Sequence, residues 1–267
     1  MPLQASTIAL TLLILLIPLT TLRILSLLPA YRPRPRPKTR GTPTRLLIVL
    51  GSGGHTAEMF ALLRDLDTEK HNWRSYVVGE GDGFSAVRAE EFERGLRERA
   101  QAKAQAARPR RTNGRLESEK AEQAYKQEGS HEAEEETQGY GGYDISTIRR
   151  ARHIHQPLLL TPPTALRCLF ACFSVLRGTR HGEREYPDLI LTNGPGTGVV
   201  VVLASLILRF LGPGQDRMRT VYVESWARVK GLSLSGRLLV RVVDRFVVQW
   251  EGLEGVGGRG EFLGVLV

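Results

Sequence analysis

Several common chemistries are missing from this 267-residue sequence. It has only two cysteines, Cys168 and Cys172, four apart in an apolar segment. That spacing puts both on one helix face, where buried small hydrophobes are a far better reading than a metal site. The glycine turn Gly51-Ser52-Gly53-Gly54 is followed by His55, with no lysine, so it is not the phosphate loop of an NTPase. Counting from Gly51, the sixth position is Thr56, and the nearest acids, Glu80 and Asp82, fall late for a dinucleotide fold. No G-x-S-x-G elbow is present, which argues against a Ser/His/Asp hydrolase. Zinc-ligand spacing and an aromatic-rich RNA-binding strand are also absent. Nothing basic precedes the N-terminal apolar run, where a cleaved signal peptide would carry its charge.

What is there begins with that run. Residues Pro2–Leu22 carry no charge, about the length a membrane-spanning helix needs. Arg32, Arg34, Arg36, Lys38, Arg40 and Arg45 follow it, which puts the C-terminal side in the cytoplasm by the positive-inside rule. Pro18 and Arg23 leave an anchor lying partly in the interface as the alternative. We therefore assign residues 1–30 to a membrane anchor and 31–44 to a stiff basic Pro/Arg linker beside anionic headgroups. This placement accounts for much of the net charge of +9 without nucleic acid as a partner.

The rest of the chain is organised around Leu46–Glu58. Leu46–Leu50 reads as a buried strand, the glycines as a sharp turn, and Thr56–Leu66 as a helix with apolar residues at 59, 60, 62, 63 and 66. Strand, glycine turn and helix open a doubly wound α/β fold and aim unpaired amides at an anion. Trp73–Val78 is a second strand. From about residue 86 to 142 the composition turns to Ala, Glu, Arg, Gln and Gly. We expect a low-complexity surface insertion there, a charged solvated helix and then a disordered tract, with His131 merely solvated. Arg152–Gln156 reads as a short strand and Thr164–Leu176 as a helix. The unit then repeats: strand Asp188–Thr192, turn Asn193-Gly194-Pro195-Gly196-Thr197, and an apolar helix Gly198–Leu211 too short to span a bilayer. Strand Val221–Val223 ends in Glu224-Ser225. Helix Leu232–Val243 follows, with Ser233 or Ser235 as N-cap, and then strand Phe246–Gln249 and the apolar Phe262–Val267.

Three turns thus leave the carboxyl ends of three parallel strands, the edge at which open α/β sheets bind ligands. Two glycine loops there can hold two phosphates. His55 is either a base or donor at the site or a solvated histidine at a helix N-terminus. Glu224 is either an acceptor from a substrate hydroxyl or a capping carboxylate.

Taken together, GSGGHTAEM, LTNGPGTG, VYVESWARV, LSLSGRLLVRVVDRFVVQW and FLGVLV resemble one family. It is the membrane-anchoring subunit of the two-chain UDP-N-acetylglucosamine transferase of the dolichol pathway. That family is similar to the N-terminal half of the bacterial lipid-linked transferase that builds peptidoglycan precursor. The resemblance covers Arg45–Asn72, roughly Ile148–His155, and Asp188–Val267. It implies one Rossmann-like α/β lobe, residues 45–267, of a GT-B transferase, behind a membrane helix and tethered to the cytoplasmic face of the endoplasmic reticulum. It implies a heterodimer whose soluble partner holds UDP-N-acetylglucosamine, and an acceptor, N-acetylglucosamine on dolichyl diphosphate. Gly53, Gly54, His55 and Glu58 match the first loop, with Ser52 beside them. Asn193, Gly194, Pro195 and Gly196 match the second, continued by Thr197. Glu224, with Ser225, matches the acidic position after the next strand, so His55 and Glu224 are the candidate bases. No cofactor or metal is implied. Phe262, Leu263, Val265, Leu266 and Val267 are either a partner-binding tail or a last strand of the domain's own sheet. The alternatives are a self-sufficient membrane glycosyltransferase and a non-enzymatic membrane scaffold.

Overall fold

The computed structural model describes residues 2–32, 44–107, 140–151, 161–180, 183–184, 186–194, 196–212 and 216–267. The core strand forms because Arg45–Val49 (β1) carries apolar side chains that alternate between two helical layers. Leu47 and Val49 point to one cluster with Cys168, Cys172, Ile190, Val201 and Leu208. Leu46, Ile48 and Leu50 point to the other, with Met59, Phe60, Tyr76 and Val78.

The elements follow in order: helix α1 (Pro2–Leu27), β1, α2 (Gly54–Leu62), β2 (Trp73–Gly79), α3 (Gly83–Ala107), β3 (Gly142–Ile148) and α4 (Thr161–Leu176). A two-strand ribbon, β4 (Thr179–Arg180) and β5 (Glu183–Arg184), precedes β6 (Leu189–Thr192), α5 (Thr197–Phe210) and β7 (Arg219–Val223). Then come α6 (Leu234–Leu239), β8 (Arg245–Val248), two short 3₁₀ turns and β9 (Gly260–Phe262). The main sheet is seven-stranded in the order β3-β2-β1-β6-β7-β8-β9, and each neighbouring pair is parallel. The order reverses direction between β1 and β6, so the two glycine loops leave adjacent strands at the switch point. This is the α/β lobe expected from the sequence. Phe262 pairs with Val248 as the end of β9, while Leu263–Val267 continue without regular structure.

Two expectations change, and others fall outside the described residues. The insertion does not begin at residue 86: α3 buries Ala89, Glu93 and Leu96 on one face and packs beside β2, and the sheet takes up the chain again at Gly142. The charged composition concealed this because Glu93 is buried in an ion pair, with Arg74 Nε and Nη2 at 2.7 and 2.8 Å from its oxygens. Tyr76 and Tyr140 also donate to that carboxylate, at 2.6 and 2.5 Å. The helix expected over Leu232–Val243 is only Leu234–Leu239, capped by Ser233, whose hydroxyl accepts from Gly236 N–H at 2.9 Å. The expected strand Arg152–Gln156 and the loop residue Pro195 lie outside the described residues.

At the amino-terminal edge of the sheet, α1 is fastened to the lobe. Arg23 donates to the carbonyls of Arg209 and Phe210 at the end of α5. Arg209 in turn donates to Leu27 O at 3.3 Å. Arg32 Nη1 donates to both oxygens of Asp244 at 2.9 Å, and Arg219 and Thr220 donate to the same carboxylate. Burial, with Arg32 nearby, lowers Arg209 to about 10. Burial would raise Asp244, yet the arginines and the Thr220 amide hold it below the usual carboxylate range. Ile14–Ile17, Leu19, Leu22 and Ile24 of α1 are exposed. Among the described residues no helix is long and apolar enough to cross a membrane.

Candidate functional site

Gly53 begins the site. It sits at φ +61°, where a side chain is strained, and serves as N-cap of α2 without any side-chain capping bond. Gly54, the first residue of the helix, faces open space. The first amides of α2 therefore have no side chain over them. The loop is braced from behind. The Thr56 hydroxyl donates to Gly51 O and lies 2.7 Å from the Ser85 hydroxyl, and Ser85 Oγ also reaches Gly51 O at 3.1 Å. Ser85 is held by Asp82, which accepts from its amide at 3.1 Å and its hydroxyl at 2.8 Å.

The second loop repeats the arrangement. Gly196 caps α5 at φ +47° with no side-chain cap. Gly198 packs so closely that a Cβ there would meet Thr192 Oγ1 at 2.3 Å. The two loops abut: a Cβ on Gly194 would lie 3.3 Å from Gly51 Cα, and Asn193 Nδ2 donates to His55 O at 2.7 Å. Two uncapped helix N-termini thus meet at the switch point, and their dipoles both favour an anion there.

Around them the polar groups are unevenly satisfied. Ser225, at the end of β7, donates its hydroxyl to Glu58 Oε1 at 2.9 Å and so ties the third turn to the first loop. His55 Nδ1 stands 3.9 Å from Glu58 Oε2. His55 Nδ1, Glu58 Oε2 and Asn193 Oδ1 are buried and have no hydrogen-bond partner among the described residues, a cost a fold seldom tolerates without a ligand or water to meet it. Glu224 is different. It is buried, Oε2 accepts from Ser233 N and Oγ at 3.1 Å each, and Oε1 accepts from Ser225 N at 3.2 Å. Gly236 allows this approach, since a Cβ there would fall 2.1 Å from Glu224 Oε2. Burial, with Glu224 beside it, pushes the Tyr222 hydroxyl up. The geometry of Glu224 is that of a capping carboxylate.

The expected site residues divide accordingly. Ser52, Gly53, Asn193, Gly194, Gly196 and Ser225 lie in the turns, Gly54, His55 and Glu58 in the start of α2, and Thr197 at the first position of α5, while Glu224 is buried at the end of β7. Leu263, Val265 and Val267 are exposed, and Leu266 N donates to Gln249 Oε1 at 3.3 Å. Sequence reasoning weighed Asp82 only as a dinucleotide-fold acid and did not single out Ser85, although an Asp just before a helical stretch is an N-cap signal.

Fold and site define a Rossmann-like α/β lobe with two uncapped helix N-termini at its switch point. Residues 46–118 and 115–266 match the family described as oligosaccharide biosynthesis protein Alg14 like, and the chain belongs to that family. It is 37% identical over 238 residues to the UDP-N-acetylglucosamine transferase subunit alg14 of Aspergillus fumigatus, covering 74% of this chain and 92% of that one. The Schizosaccharomyces pombe subunit is 36% identical, covering 83% of this chain and 82% of its own. The human subunit is 31% identical, again covering 83% and 82%. No solved structure matches the chain.

Proposed function

We propose that this chain is the acceptor-binding, membrane-recruiting lobe of a two-chain UDP-N-acetylglucosamine transferase. A separate soluble chain brings the nucleotide-sugar. One observation carries the reading: the abutting, uncapped starts of α2 and α5, ringed by the unpartnered His55 Nδ1, Glu58 Oε2 and Asn193 Oδ1. Amides of Gly54 and Gly196–Thr197 grip the two phosphates of a lipid diphosphate. The sugar on that diphosphate extends toward the partner, and its hydroxyl attacks the donor's anomeric carbon in an inverting displacement: the new glycosidic bond forms as the bond to UDP breaks, and UDP leaves on the partner.

His55 is the proton acceptor in this scheme. A proton on Nδ1 directed at Glu58 leaves Nε2 as the basic nitrogen, and Ser225 fixes Glu58. Glu224 is set aside because its oxygens are occupied by the lobe's own donors. Helix α1 is the anchor, and placement on the cytoplasmic face of the endoplasmic reticulum follows from the family reading and the charge flanking α1. The tail Leu263–Val267 is offered to the partner. The test is sugar transfer from UDP-N-acetylglucosamine to a lipid diphosphate acceptor, with the chain and its soluble partner assayed singly and together. Activity only in combination, lost in His55→Ala, supports the reading. Transfer by this chain alone would replace it with a self-sufficient enzyme.

A further inference from the structure

Helix α1 and the acceptor loops sit at opposite ends of α5. Arg23 binds the carbonyls of Arg209 and Phe210 at its C-terminus, whereas Gly196 and Thr197 form its N-terminus. Fourteen helical residues span about 20 Å. A lobe standing on its α1 end would therefore hold the loops well above the lipid. The inference that follows rests on the proposed lipid-borne acceptor, which needs those loops at the bilayer surface.

One face runs between the two ends. It starts at Trp226, next to Ser225 of the site, and ends at Val243, next to Asp244, which fastens Arg32. Between Trp226 and Val243 the sequence has Arg228, Lys230, Arg237 and Arg241 and no acidic residue. All four cations are exposed, and among the described residues none is in an ion pair. Large apolar side chains lie exposed among them: Trp226 at 47%, Val229 at 47%, Leu234 at 68% and Leu238 at 57%. Leu234 and Leu238 are one turn apart on α6 with Arg237 beside them, while Ser235, Gly236 and Leu239 face inward. Trp226 is held in place, with Trp250 Nε1 donating to its carbonyl at 2.7 Å and the two rings 5.8 Å apart. Arg237 and Arg241 also line a cavity of about 440 Å³ with Leu232, Val240, Val256 and Gly257.

We propose that this α6 face lies flat on an anionic bilayer and so lowers the acceptor loops to the lipid surface. Cations without acids match acidic headgroups, an indole suits the interfacial layer, and scattered leucines reach the acyl boundary. A complementary protein surface would be expected to meet acids interleaved with these cations for register; the segment Trp226–Val243 carries none, and the exposed Glu251 and Glu254 come only after Trp250, which packs against Trp226.

The test uses the full chain, carrying an environment-sensitive label at Leu238→Cys or Leu234→Cys; native Cys168 and Cys172 are buried. The chain is reconstituted in phosphatidylcholine vesicles containing roughly 30% phosphatidylserine and a lipid-borne quencher. Labels at 238 and 234 should be quenched several-fold more than one at Arg64→Cys, on the opposite helical layer. Arg237→Glu with Arg241→Glu should abolish that difference while flotation still reports α1 insertion. Equal quenching at all three positions, or undiminished quenching after charge reversal, would overturn the proposal. So would a label shielded only when the soluble partner is added, which would make the face a protein interface. No acceptor or donor enters the measurement, so a failure here leaves the diphosphate site standing. Loss of that site would in turn leave the quenching unchanged.

Discussion

His55 and Glu224 were equivalent candidates in the sequence, and their surroundings separate them. His55 keeps an unpartnered ring nitrogen beside Glu58 at the mouth of the loops. Glu224 is 1% exposed and bonded to Ser225 and Ser233. We therefore expect His55→Ala to lower kcat of the assembled enzyme by roughly 10²–10⁴-fold, with acceptor KM little changed. Glu58→Gln should lower kcat less than His55→Ala does, since Glu58, held by Ser225, orients the base rather than taking the proton. Glu224→Gln should act on folding instead. With its amide oxygen on the two Ser233 donors, the new amide nitrogen would face Ser225 N–H, a donor against a donor, and the loss should be about 1–3 kcal/mol in a denaturant titration. An activity collapse in Glu224→Gln at unchanged stability would reverse the two assignments. No local pattern in the sequence distinguishes these carboxylates. What decides is Ser233, nine residues away, and Gly236, which leaves room for the approach.

At the level of elements, the legible parts were those with one period and one environment. β1 is apolar after its first residue, Arg45, and both its faces are buried, so Leu46–Leu50 could be read at once. The α5 run was readable for the same reason. Helix α3 was not, because its inward face carries Glu93, whose partners Arg74 and Tyr140 lie 19 and 47 residues away. Composition cannot reveal a buried charge whose partner is distant. Glu93→Ala leaves Arg74 buried and unpaired, and should cost about 3–5 kcal/mol, seen as a lower thermal midpoint with loss of α3. Asp244 supplies the second element-level prediction. Its folded pKa lies below the ordinary 3.8, so its contribution is present at neutral pH and is lost as pH falls through the folded value. Docking of α1, followed by a spin label on each side of the Arg32–Asp244 contact, should persist at pH 5 and loosen below about pH 4. Asp244→Asn should loosen it at every pH.

For the whole molecule, the order β3-β2-β1-β6-β7-β8-β9 is what turns two separate glycine turns into one site. The turns themselves were visible in the sequence as GSGG and NGPG. That they abut at Gly51 and Gly194 required the sheet order, which no single segment encodes. The clamp from Arg23 and Arg32 onto α5 and Asp244 joins positions about two hundred residues apart in the chain and was equally hidden. The central claim is that this lobe, without its partner, grips a diphosphate through the two helix starts. Equilibrium binding of a short-chain N-acetylglucosaminyl diphosphate lipid to the purified full chain tests it most directly. The account predicts binding in the absence of the partner, weaker binding of the monophosphate analogue, and at least a tenfold loss, about 1.4 kcal/mol, when Gly53 and Gly196 are both replaced by alanine, measured well below the lowered thermal midpoint of that strained variant. Binding that appears only with the partner present, or that ignores both the second phosphate and the glycines, would contradict it.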